Sequence, residues 1–151
     1  MIYVGIDPGK NGAMAIIYPN KTKLIDYSLP TYVFYLRKFQ LEEKEFKVIV
    51  EKVHSMPGQG VASTFSFGEN FGKIQGILEA LEIPYELIPP QVWQRSCGIP
   101  PKSDKKAIAS IISTIYPKAE LYGLRGGLKD GRSDALGIAT YLKLKDKDDK
   151  Y

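Results

Sequence analysis

The stretch Ile2-Tyr3-Val4-Gly5-Ile6-Asp7-Pro8-Gly9-Lys10-Asn11-Gly12-Ala13-Met14-Ala15-Ile16-Ile17-Tyr18 decides the fold. Two short apolar runs, rich in β-branched residues, are separated by Pro8-Gly9 and Asn11-Gly12, residues that favour turns over continued extension. The pattern predicts a hairpin whose first strand ends on Asp7. After Pro19-Asn20 a third strand is expected near Lys23 to Ser28.

Working outward, Tyr32 to Leu41 reads as a short helix, and Lys47-Val48-Ile49-Val50-Glu51 as a strand. That strand lacks polar alternation, as a central strand covered on both faces would. A loop from His54 to Gly60 leads into a helical pattern in which Phe67, Phe71, Ile74, Leu78 and Leu81 form one stripe, expected to face the sheet. Pro84 to Ile88 is a fifth strand, and Pro89-Pro90 starts a turn or short helix through Trp93. Ser103 or Asp104 can cap a helix carrying Ile108, Ile111, Ile112 and Ile115, which Pro117 ends. A glycine-rich basic segment, Leu121 to Lys129, precedes a last helix from Asp130 to Leu144. Residues 145–151 alternate in charge without a core face and are expected to fray. Three hairpin strands, then two strands alternating with helices, make an α/β domain over residues 1–144, with a mixed five-stranded central sheet flanked by helices on both faces and no internal repeat to divide it.

The 151 residues hold enough apolar material for one real core, at 44% hydrophobic and 25% charged. The net charge of +4 favours a polyanionic partner without selecting one. With Cys97 the only cysteine, neither a disulfide framework nor a cysteine zinc cluster can be built within one chain, which suits a reducing interior. The apolar runs are too short for a membrane span and none resembles a signal peptide, so a cytoplasmic protein is expected.

Asp7 and Glu51 both end apolar strands. If those strands are parallel neighbours, their carboxylates lie roughly 5 Å apart and repel each other unless one takes a proton or a cation sits between them. Asp134 joins them because it shares a helix face with Ile138, Tyr141 and Leu142, at the rim of a buried stripe. Asp130, one turn earlier, either joins the same site or caps the helix. Singly, each acid has an ordinary reading as a turn, strand-end or first-turn residue. Together, acids from different elements can hold two Mg²⁺ or Mn²⁺ ions about 4 Å apart, an arrangement that hydrolyses phosphodiesters.

At this point Gly5-Ile6-Asp7-Pro8-Gly9, Gly12-Ala13, Val50-Glu51, Phe67-Gly68 to Gly76, and Ser133-Asp134-Ala135-Leu136-Gly137-Ile138-Ala139 resemble, in order, the RuvC family of Holliday junction resolvases. Glu51-Lys52-Val53-His54-Ser55-Met56-Pro57 is similar to the phage-type branch of that family. The resemblance implies a ribonuclease H-like fold, a homodimer in a bacterial or phage-infected cell, and paired nicks in four-way DNA junctions. Asp7, Glu51 and Asp134 fall on the family's catalytic acids. Asp130 stands four residues before Asp134 where the family usually spaces the pair by three, and Gly131 fills the usual place. His54 and Trp93 replace residues common in bacterial members.

Lys102, Lys105 and Lys106, and Arg125, Lys129 and Arg132, are placed to hold phosphates near these acids, or else are solvated charges. His54, Phe65 and the loop Ser55 to Thr64 are candidates to enter an opened junction, with a core role the ordinary alternative for Phe65. Gly68, Gly72 and Gly76 leave a bare ridge on a helix at about 1 kcal/mol per glycine, which predicts packing against another helix, in the domain or across a dimer axis. The competing readings are a broader debranching nuclease, a non-catalytic protein that binds branched DNA, and a phosphate-handling ATPase-like module.

Overall fold

The computed structural model describes residues 1–52, 54 and 57–150. Strands β1 (Ile2–Asp7), β2 (Ala13–Ile17), β3 (Thr22–Asp26), β4 (Phe46–Glu51) and β5 (Tyr85–Ile88) form one sheet in the order β3-β2-β1-β4-β5. β1, β2 and β3 meander antiparallel, while β4 and β5 run parallel to β1, so the sheet is mixed. The third strand ends at Asp26, two residues short of the expected Ser28.

Period-two alternation sends each strand's side chains into two separate cores. Val4, Ile6, Met14, Ile16, Val48 and Val50 pack with α1 (Leu29–Leu41) and α2 (Val61–Ala80) on one face. Tyr3, Ala13, Ala15, Ile17, Ile49 and Ile88 pack with α3 (Pro90–Ser96), α4 (Lys105–Ile115) and α5 (Asp130–Asp148) on the other. Val48, Ile49 and Val50 of β4, covered on both sides, therefore run without polar alternation, as the sequence pattern required.

Helix boundaries follow local chemistry. α1 starts at Leu29, earlier than expected, because the Ser28 hydroxyl caps the Thr31 N–H and Pro30 suits the first turn. Asp104 caps α4, its carboxylate accepting from the Ala107 N–H at 2.8 Å.

Two expectations fail. The stripe of α2 packs on the sheet's core at Phe71, Ile74, Leu78 and Leu81, but Phe67 stays 43% exposed because the first half runs beside the strand exits rather than over the sheet. Residues 145–148, expected to fray, continue α5, since Asp146 is buried and bonded by Tyr3 and Lys47 while Lys145 pairs with Glu86. Among the described residues no helix is long and apolar enough to cross a membrane.

Candidate active site

Ile6 lies opposite Val50 in the parallel β1–β4 ladder, which brings the next residues, Asp7 and Glu51, side by side where both strands end. α5 packs across β1 and delivers Asp134 to the same place. Burial pushes the carboxyl of Asp7 up to about 6, against the opposing Gly9 N–H that donates to it. Burial, then the negative charge of Asp7, pushes Glu51 up to about 7. For Asp134 burial comes first, followed by Asp7, Glu51 and Asp130, and together they raise it to about 8. Three half-buried acids are thus held back from ionising, first by burial and then by neighbouring carboxylates, the electrostatic condition that a cation relieves.

Asp130 begins α5, but its carboxylate does not cap the helix: the N-cap position is Lys129 and carries no side-chain cap. Asp130 instead pairs with the Lys105 ammonium at 2.7 Å and faces the same pocket as Asp7. The four-residue spacing to Asp134 has a steric cause. A Cβ on Gly131 would lie 2.2 Å from the Asn11 carbonyl oxygen and 2.8 Å from Gly12 Cα, so no side chain fits at the intervening position.

A pocket of about 400 Å³ opens beside Asp7 and Asp130, bounded by the turn after β1, the first half of α2 and Lys105. Three residues that sequence reasoning did not place in the site belong to it. Phe67 and Asn70 line the pocket from α2, and Asn70 is buried with its Oδ1 accepting from the Tyr27 hydroxyl at 3.1 Å. Trp93, fully buried, donates its indole N–H to Glu51 Oε2 at 2.7 Å. The one signal in the sequence was that a lone buried tryptophan needs an acceptor.

Of the expected DNA-contacting cations, Lys102, Lys106, Arg125 and Lys129 are exposed. Arg132 is already engaged: its guanidinium forks onto Asp26 at 2.7 and 3.0 Å and also donates to the Glu120 and Tyr122 carbonyls. It braces the glycine-rich segment against β3 rather than presenting a free charge. His54 is exposed, while Val53, Ser55 and Met56 of its segment, including the start of the expected junction-entering loop, lie outside the described residues. Phe65 is 73% exposed, so the core reading of that residue fails. Added Cβ atoms at Gly68, Gly72 and Gly76 would meet nothing, so no helix of this chain covers the ridge among the described residues.

Among the described residues, no three acidic, cysteine or histidine side chains close around a single point tightly enough to cage an ion. The donor set nevertheless fits Mg²⁺ or Mn²⁺, because such ions keep several waters and take one or two carboxylates plus substrate phosphate rather than an all-protein cage. Asp7, Glu51 and Asp134 offer carboxylate oxygens only, and each stays pushed up although the Gly9 N–H, the Trp93 N–H and the Lys105 ammonium oppose the shift.

No family model matches the chain, and no curated protein matches it in sequence. Its structure is similar to that of Thermus thermophilus RuvC in complex with a Holliday junction substrate, at 14% identity over 97% of this chain and 96% of that one, with a TM-score of 0.64. A second Thermus thermophilus RuvC structure agrees at 16% identity over 99% and 97%, again with a TM-score of 0.64. The chain has the ribonuclease H-like fold.

Proposed function

We propose that this chain is a metal-dependent, structure-selective endodeoxyribonuclease that resolves four-way DNA junctions by paired symmetric nicks, with water as the nucleophile. The observation that carries the reading is the trio Asp7, Glu51 and Asp134, half-buried at the strand exits, each pushed up first by burial and then by a neighbouring carboxylate. The end-to-end similarity to a RuvC structure solved with its junction supports it.

In this reading Asp7, Glu51 and Asp134 hold two Mg²⁺ or Mn²⁺ ions, with Asp130 at the rim. The ions, when bound, supply activation of water and stabilisation of the leaving oxygen. The chain's own residues do the rest. Lys105 places an ammonium beside the pocket that can donate to a phosphate oxygen, and Lys102, Lys106, Arg125 and Lys129 track the flanking backbone. The open ridge Gly68, Gly72 and Gly76 supports a homodimer across a two-fold axis, which would present two sites to one junction and make the nicks symmetric. The Glu51 to Pro57 segment favours the phage-type branch, acting in the cytoplasm of a bacterial or phage-infected cell.

The test is cleavage of a synthetic four-way junction against fork, flap and linear duplex, with Mg²⁺, Mn²⁺ or EDTA. Paired, metal-dependent nicks confined to the junction are the expected result. Equal rates on forks and flaps would replace junction resolution with general debranching, and binding without nicking would replace the enzyme with a junction-binding protein. Sedimentation of wild type and Gly72→Leu tests the dimer, which the substitution is expected to weaken.

A further inference from the structure

The sequence holds a single tryptophan, Trp93, and the fold hides it completely on the short helix α3. Its indole N–H is spent on Glu51 Oε2, at 2.7 Å, across 42 residues of sequence. Its ring is seated on α5 at Gly137, where an added Cβ would come within 2.5 Å of Cζ3 and 2.8 Å of Cε3. A mid-helix glycine costs about 1 kcal/mol of helix propensity, so α5 gives up stability at the point where the ring must lie close. Cys97 Sγ, just beyond α3, also donates to the Gly137 carbonyl at 3.5 Å, tying the two helices together.

Gly137 stands one helical turn beyond Asp134. The indole therefore links two acids that reach the site from different elements, Glu51 from β4 and Asp134 from α5. A glutamate side chain has three rotatable bonds, and a carboxylate that must meet an ion in one orientation gains from having one oxygen tied. The indole N–H is well suited to this, since it only donates, carries no charge to compete with a cation, and has no proton to lose near neutrality.

We infer that Trp93 is a positioning residue: seated on Gly137, it fixes the Glu51 carboxylate by holding Oε2 and leaves Oε1 for a divalent cation, and so sets the metal affinity of the site. This rests on the metal-site reading above.

Because the chain has one tryptophan, global replacement by β-(3-benzothienyl)alanine alters Trp93 alone, substituting sulfur for the N–H in a ring of nearly the same shape. Trp93→Phe removes the donor together with part of the ring. Mn²⁺ binding by the full chain, without DNA, is measured by calorimetry for wild type and both forms, alongside junction affinity in EDTA. The expected result is Mn²⁺ binding about 10–100-fold weaker in both altered proteins, with junction affinity unchanged and nicking recovered at high Mn²⁺. Unchanged Mn²⁺ affinity in the benzothienylalanine protein would overturn the proposal and leave Trp93 as packing only. Failure of the wild type itself to bind Mn²⁺ would instead overturn the metal-site reading, and the proposal with it.

Discussion

α5 carries two inward-facing acids near its opposite ends, and the fold treats them in opposite ways. Asp146 meets the hydroxyl of Tyr3 at 2.7 Å, the Lys47 ammonium in close contact and Lys150 at 3.6 Å. Lys47 first, and then Tyr3, hold its carboxyl down to about 2, while burial of the ring, and then the bond to Asp146, push the Tyr3 phenol up to about 12. Asp134 is pushed up to about 8 by burial and then by Asp7, Glu51 and Asp130, with the Lys105 ammonium opposing them. β1 spans both places, with Tyr3 at the satisfied end and Asp7 at the unsatisfied one. The scaffold that meets one carboxylate with two ammonium groups and a hydroxyl gathers three others with far less to oppose them, and acids perturbed in this way cluster at functional sites.

The largest expected effect comes from removing the unsatisfied charge. Asp134→Asn should lower junction nicking by at least about 1,000-fold, equivalent to roughly 4 kcal/mol of transition-state stabilisation. It should also raise the stability of the metal-free protein at pH 8 by on the order of 2 kcal/mol, because an ionised carboxylate no longer has to be kept among others. Denaturant melts in EDTA and single-turnover cleavage read the two quantities. A destabilised Asp134→Asn with normal nicking would remove the contrast between the two ends of α5.

Asp146→Ala is expected to do the reverse. It strands the Tyr3 hydroxyl and the Lys47 ammonium, so the melting temperature should fall by several degrees while single-turnover nicking stays at the wild-type rate.

The two ends also answer pH with opposite signs. The folded chain keeps protons on Asp7, Glu51 and Asp134 at pH values where the unfolded chain has lost them, so raising the pH from 5 to 8 strips them and costs stability. Asp146 is ionised in the fold below its ordinary range, so its stabilisation is present above about pH 4 and is lost as the pH falls through about 2. Melting temperatures in EDTA should therefore decline from pH 5 to 8, and saturating Mg²⁺ should flatten that decline. A flat metal-free profile would show that the site acids are not raised.

This contrast also marks what the sequence could and could not disclose. Asp7 and Glu51 were legible because each ends an apolar strand, while the parallel pairing that unites them was a condition the sequence left open and the β1–β4 ladder meets. Asp134 was legible from its neighbours on an apolar helix face. The satisfied end was not: Lys145 to Asp148 reads as alternating charge, and only the folded chain brings Asp146 to a tyrosine 143 residues away. The ion pair of Arg132 was hidden for the same reason, since its partner Asp26 lies 106 residues away. Trp93 read as a departure from a pattern because its acceptor, Glu51, is a tertiary neighbour. Periodicity reports which face is buried, whereas long-range polar pairing leaves almost no local trace.

The smallest effect separates Asp130 from the trio. Its pair with Lys105 is well exposed on the lysine side and should contribute under about 1 kcal/mol to stability, so neither Asp130→Asn nor Lys105→Ala should move the melting temperature much. Their effects on the site should nevertheless differ in sign. Asp130→Asn removes a rim carboxylate and is expected to weaken Mn²⁺ binding about tenfold. Lys105→Ala releases that carboxylate and removes a cation that competes for it, so Mn²⁺ binding should tighten while junction affinity falls. Calorimetric Mn²⁺ titration and junction binding in EDTA distinguish the two. If both variants lost metal affinity alike, Asp130 and Lys105 would be a structural pair like Asp146 and Lys47, and the site would end at three acids.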